Sequence, residues 1–303
     1  WDHGATWERI SAMERTWIAR REGRLSSFLR GELHMSVGLM NRLKWKEAFL
    51  VNGIPRHTNY PVQAGDRIVV LLEEALPEYP AQQGALSILY EDAWLLAVDK
   101  PSGMLIHPSR TTNQGTLANY VAGYYEATGQ CAAFHPLTRL DRDTFGVVLI
   151  AKNSHIHALL QEAHPEKTYE ALVCGTPPQP RGEVTAPIAR CEPPSLLRRI
   201  DPAGKPCRTL YRVLESHGQI SRLELRPITG RTHQLRLHCA YMGFPILGDP
   251  QYGSEASMSF SREKGFETQL LLAKRLEFAH PITGEPLKLE TKLALPELGS
   301  MGS

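Results

Sequence analysis

What most constrains the fold is a series of strand-like segments that follow one another with few helices between them. TYEALVCG (168–175), TLYRVLES (209–216), ISRLELRPI (220–228) and LLLAKRLEFAHP (270–281) each alternate or run apolar over a strand's length. Consecutive strands with short connections pair antiparallel, because a parallel pair needs a crossover of about a dozen residues or more. Helical spacing appears in TLANYVAGYYEAT (116–128) and SHIHALLQEAH (154–164), too few helices to alternate with the strands. The expectation is an α+β domain on a mixed, largely antiparallel sheet, not a doubly wound parallel one.

A small unit precedes this texture, over residues 14–72. The basic amphipathic stretch RTWIARREGRLSSFLRGEL (15–33) is expected to be helical, as is the segment from Ser36 to Trp45. AFLVNGIPRHTNYPVQAGDRIVVLL (48–72) then places short strands around two turn signals, Asn52-Gly53 and Ala64-Gly65-Asp66. EEALPEYPAQQGA (73–85) has no periodicity and reads as a linker, which leaves 86–295 for the larger domain.

With 42% hydrophobic and 22% charged residues, the chain can build a sizeable core. Net charge is only +2, but residues 1–72 hold 11 Lys/Arg against 7 Asp/Glu, so the positive excess lies in the N-terminal unit. The five cysteines are scattered without a C-x-x-C pair, which argues against a disulfide framework or a structural zinc site. No window approaches the roughly 18 apolar residues of a membrane span, and Trp1, Asp2 and Glu8 lack a signal peptide's order. A cytoplasmic, membrane-free protein is expected, with nothing that demands more than a monomer.

Three polar stretches lie against apolar strands: HPLTRLDRDTFG (135–146), EKTYEALVCG (166–175) and LRPITGRTHQLRLHCAYMGFPILGDPQYG (225–253). They supply a carboxylate at a loop's entry to the core, a phenol and several guanidiniums. A carboxylate beside a guanidinium stays ionised, a poor base but a usable nucleophile or stabiliser of positive charge at a sugar carbon. With no second carboxylate evident as general acid, glycoside hydrolysis fits badly. A leaving group that departs as a stabilised anion, as a pyrimidine can, fits better.

These motifs resemble the RluA family of pseudouridine synthases, which isomerise uridine in RNA to its C-glycoside. YEDAWLLAVDKPSGMLIHP (90–108) resembles the family's opening strand and Lys-Pro-x-Gly turn, and TRLDRDTFGVVLIAK (138–152) its catalytic motif. The resemblance covers residues 88–293 and implies Asp141 as catalytic aspartate, Tyr169 as active-site tyrosine and Arg236 as the carboxylate's partner. It also implies that Arg139 helps displace the target nucleotide, that Tyr169 stacks on it and helps remove the C5 proton, and that Arg231 contacts RNA. The N-terminal unit is similar to an S4-like RNA-binding module, with Arg42, Lys44 and Lys46 where such a module presents basic groups to phosphate. The same three residues read equally as solvated helix ends. The implied substrate is structured RNA, ribosomal favoured over transfer, with no metal and no cofactor.

Two positions depart from the family pattern: Thr138 stands where His is usual, and Phe145 where Ser is usual. They leave open a catalytically silent RNA-binding protein of the same fold, against which the intact Asp141, Tyr169 and Arg236 argue. His233 and His238, five apart and without an accompanying carboxylate, are expected to be hydrogen-bonded structural histidines. Lys100 is expected either to meet phosphate or to serve as a turn residue.

Overall fold

The computed structural model describes residues 10–75, 79–109 and 111–300. Ile10–Ile18 pairs antiparallel with Arg67–Ala75, and Arg67–Ala75 pairs in turn with Phe49–Val51. Helices Leu25–Gly31 and Val37–Lys44 bury Leu25, Phe28, Leu29, Met40 and Leu43. Asn52 ties the two turns together: its side-chain amide donates to Asp66 at 2.7 Å, and its carbonyl oxygen accepts from the Arg67 amide at 2.9 Å.

The stretch expected as one helix over 15–33 is divided. Arg15 to Ile18 belongs to a strand, and the helix starts at Leu25. Burial there has period two, with Arg15 and Trp17 half-buried while Glu14, Thr16 and Ile18 are exposed. Thr16, Trp17 and Ile18 are residue types that suit a pleated, half-buried surface, and the long partner strand exploits this.

The larger sheet runs in the order Arg181–Val184, Thr209–His217, Ile220–Pro227, Glu166–Cys174, Leu271–Ala279, Phe145–Ala151, Leu95–Lys100 and Ser87–Glu91. Neighbours along it are antiparallel except Phe145–Ala151 against Leu271–Ala279, which are parallel. The sheet is therefore mixed and largely antiparallel, as expected from the consecutive strand segments. Leu95–Lys100 is buried at every position, and Phe145–Ala151 at every position after its first.

Gly146 is where the Asp141 loop enters the sheet. Its φ is +111°, and a Cβ there would lie 2.3 Å from the Ala273 carbonyl oxygen. Only glycine lets the two parallel strands approach this closely at their first paired residues.

Within the expected linker, residues 76–78 lie outside the described residues, and 79–85 is strapped to helix Leu117–Ala127. The Gln82 amide donates to the Asn119 carbonyl at 3.0 Å, and the buried Asn119 side chain returns a bond to Pro80 at 2.9 Å. The two units also touch directly. Trp17 stacks on Trp94 with ring centroids 6.2 Å apart, and His155 Nε2 donates to the Leu33 carbonyl at 2.8 Å.

Candidate active site

Asp141 sits on the loop that feeds strand Phe145–Ala151, and that loop is held from below. Lys100, fully buried, donates from Nζ to the carbonyls of Pro101 at 3.0 Å, Met104 at 2.8 Å and Arg142 at 2.8 Å. Ser102 Oγ donates to the Asp143 carbonyl at 3.0 Å. The Lys-Pro-Ser-Gly turn is thus a clamp on the backbone just after Asp141, and Lys100 is not placed to meet phosphate. Burial pushes the Lys100 ammonium down to about 8, although Asp143 and Asp141 both favour its charge.

Arg236 reaches Asp141 from helix Gln234–Tyr241, with Nη1 at 3.0 Å from Oδ2. Its Nε and Nη2 fork onto Asp249, both at 2.7 Å, and Nη2 also donates to Gln251 at 2.8 Å. Burial works against the guanidinium's charge, yet Asp249 and Asp141 together hold it above its ordinary value. Asp249 is the second carboxylate that the sequence motifs did not single out. At 3% exposure and with both oxygens committed to Arg236, it is a partner for charge and not a general acid. Gly248 makes this possible: at φ +73° its Cα lies so close to the Thr268 carbonyl that a Cβ would come within 2.1 Å of that oxygen.

Asp141 opens onto a cavity of about 350 Å³ lined by Arg139, Lys167, Tyr169, Arg231, His233 and neighbouring backbone. That volume lies within the usual range for small-ligand sites, about 300–1,000 Å³. Tyr169 enters from strand Glu166–Cys174, next to a register shift after Thr168. Burial, and secondarily the Asp141 charge, push its phenol up, so the ring faces the cavity neutral and a phenolate base is disfavoured. Arg139 and Arg231 are exposed at the cavity's edge. Arg42, Lys44 and Lys46 do not line it; they lie on and just after helix Val37–Lys44 in the N-terminal unit.

The two histidines diverge. His238 is buried and fully engaged, with Nδ1 at 2.9 Å from Thr209 Oγ1 and Nε2 at 2.9 Å from the Ala186 carbonyl. His233 is hydrogen-bonded as expected, with Nδ1 at 2.7 Å from the Tyr252 hydroxyl, but it also lines the cavity with Nε2 at 3.8 Å from Asp141 Oδ1. Sequence spacing could not separate them, because helix Gln234–Tyr241 begins immediately after His233 and turns only His238 inward.

The two departures from the family pattern also differ. Phe145 packs against the cluster of Leu172, Leu247 and Leu272, so it is a core residue at the strand's start. Thr138 lines the cavity and is buried, and its hydroxyl has no hydrogen-bond partner among the described residues. Asp143 pairs with Arg142, Oδ1 accepting from Nε at 3.1 Å. Among the described residues no group of three or more His, Cys, Asp or Glu is arranged to hold a metal ion, and no helix is long and apolar enough to cross a membrane.

A family model described as RNA pseudouridylate synthase matches residues 94–241, a span that includes Asp141, Tyr169 and Arg236. The chain is 36% identical over 264 residues to a protein of Haemophilus influenzae named ribosomal large subunit pseudouridine synthase D, covering 82% of this chain and 81% of that one. It is 35% identical over 243 residues to YhcT, an uncharacterized RNA pseudouridine synthase of Bacillus subtilis, with 77% of each chain covered. Among solved structures, human RNA pseudouridylate synthase domain containing 1 superposes with a TM-score of 0.58 at 27% identity, covering 73% of this chain and 88% of that one.

Proposed function

The chain belongs to the RNA pseudouridylate synthase family and is an RNA pseudouridine synthase; from that premise we propose that Asp141 is its nucleophile and large-subunit ribosomal RNA its substrate. The observation that carries the proposal is the Asp141 carboxylate at the cavity, with Oδ2 tied to Arg236 at 3.0 Å. Attack of the carboxylate on C1′ breaks the N1–C1′ bond, and the base leaves as an anion that needs no protonated general acid. The base turns, C5 bonds to C1′ as the carboxylate departs, and the proton on C5 moves to N1, so composition is unchanged.

C1′ and C5 of a stacked uridine are out of a side chain's reach, so the nucleotide must leave its stack, at a cost of about a few kcal/mol. Arg139 at the cavity edge is the residue proposed to take the vacated place, and Arg231 to hold adjacent phosphate. Tyr169 offers its neutral ring as the stacking surface. The phenol's raised proton affinity favours this role over that of base for the C5 proton.

The N-terminal unit, 14–72, is proposed to act as an S4-like module that grips RNA through Arg42, Lys44 and Lys46. Ribosomal RNA is preferred to transfer RNA because relatives at this identity carry the large-subunit name. The test is pseudouridine mapping on ribosomal and transfer RNA from cells lacking the protein, complemented with wild type or Asp141→Ala. A ribosomal site lost in the deletion and restored by wild type alone supports both parts. Restoration by Asp141→Ala would remove the nucleophile assignment, and a lost transfer-RNA site would correct the substrate.

A further inference from the structure

Tyr252 and His233 form a short relay that ends at Asp141. The Tyr252 hydroxyl oxygen accepts the Arg198 backbone N–H at 3.0 Å, and the same oxygen lies 2.7 Å from His233 Nδ1. With the Arg198 amide already donating to the phenol, the hydroxyl's own proton is free to point at Nδ1, the arrangement in which Nδ1 is the ring's acceptor. A neutral imidazole that accepts at Nδ1 carries its proton on Nε2, and Nε2 is the nitrogen facing Asp141 Oδ1 at 3.8 Å. Arg236 engages the other oxygen, Oδ2. The backbone supports this aim: His233 has φ +59°, ψ +18°, a left-handed conformation that a non-glycine residue keeps only where its surroundings hold it.

We infer that His233 is a positioning residue for Asp141: fixed by Tyr252 as the Nε2–H form, it flanks Oδ1 while Arg236 holds Oδ2, so the carboxylate presents one defined oxygen to the cavity. At 3.8 Å the N–H is too far for a hydrogen bond, so the lone pairs of Oδ1 stay available, while the positive end of the Nε2–H dipole beside the anionic oxygen favours this orientation of the carboxylate. Burial, with Arg236 and Arg198 adding to it against the opposing Asp141 and Asp249, lowers the proton affinity of His233 and favours the neutral ring. The inference rests on the assignment of Asp141 as nucleophile and adds to it which oxygen attacks and what orients it.

Two measurements test it. In [15N]histidine-labelled protein, two-bond proton–nitrogen correlation spectra read which ring nitrogen of His233 is protonated; Nε2–H is expected, and an Nδ1–H ring or an imidazolium at neutral pH overturns the inference. Single-turnover pseudouridine formation at saturating RNA is then compared for His233→Asn, His233→Gln and Tyr252→Phe. The Gln amide nitrogen can stand near the position of Nε2, and the Asn amide stands nearer that of Nδ1. His233→Asn and Tyr252→Phe are expected to slow the chemical step about 10–100-fold with RNA Kd unchanged, and His233→Gln to recover most of the loss. A purely structural His233 would leave Asn and Gln alike, and either that result or wild-type rates in all three overturns the inference. Asp141→Ala, run alongside, separates the two readings: activity surviving there removes the nucleophile itself, whereas its loss with unaffected His233 variants removes only the positioning role.

Discussion

Asp249 holds Arg236 by both carboxylate oxygens, at 2.7 Å to Nε and 2.7 Å to Nη2, and so decides which nitrogen is left to meet Asp141. The two acidic residues that flank one arginine therefore contribute to different things. Asp249 neutralises a buried cation, while Asp141, with its side chain 24% exposed, meets the remaining edge of that cation from the cavity, where it is the proposed nucleophile.

Removing each carboxylate should separate these contributions. Asp249→Ala leaves a buried guanidinium short of its main counter-charge and is expected to cost about 3–5 kcal/mol of stability. Asp141→Ala leaves the Asp249 fork intact and is expected to cost about 1 kcal/mol or less, with pseudouridine formation abolished. Urea unfolding of both variants beside an activity assay checks this, and equal stability losses would contradict the division.

Gly146→Ala tests the entry of the Asp141 loop into the sheet. The added methyl meets the Ala273 carbonyl oxygen at 2.3 Å, from a backbone at φ +111°. Neither strand can give way without breaking the parallel pair, so a loss of about 3 kcal/mol or more is expected. Thermal denaturation should show a clear fall in Tm, with activity lost in the same variant although no reacting group has been touched.

Lys100 predicts a pH dependence of stability whose sign follows from burial. Its ammonium lies at about 8 in the folded protein against an ordinary 10.5, so between these values the unfolded chain binds more protons. Relative to Lys100→Met, wild-type stability should therefore rise from about pH 8 towards 10.5, and the gain should be absent below about pH 8. Urea midpoints for the two proteins across this window measure the difference, and a flat difference would show that the three carbonyl acceptors offset the burial of the charge.

The proposed RNA contacts should divide kinetically. Arg42→Ala with Lys44→Ala is expected to weaken RNA binding and to reduce the slope of log K against log salt by about 1 for each phosphate no longer neutralised. The single-turnover rate at saturating RNA should stay unchanged. Arg139→Ala should do the reverse, slowing the bound-state rate with a smaller change in Kd. Filter binding across a salt series, combined with single-turnover assays, distinguishes the two classes.

The sheet's character and the three chemistry-bearing stretches were readable from residue order, because strand periodicity, turn residues and short motifs are local properties of a chain. Asp141, Tyr169, Arg139, Arg231 and Arg236 all lie in those stretches, and the fold brings them to one cavity. The strand at Arg15–Ile18 was not readable, since nine residues of antiparallel pairing with Arg67–Ala75 outweigh an amphipathic helical pattern. Nor were the surroundings of Lys100, Asp249, Tyr252 and His233. Each is defined by partners distant along the chain, as with Lys100 and the Arg142 carbonyl or Tyr252 and Arg198, and by burial that no local pattern records. Sequence alone determined which functional groups this protein possesses. Tertiary structure decided which of them are neutralised, which are clamped and which carboxylate faces the cavity, because burial and charge pairing are properties of the packed chain.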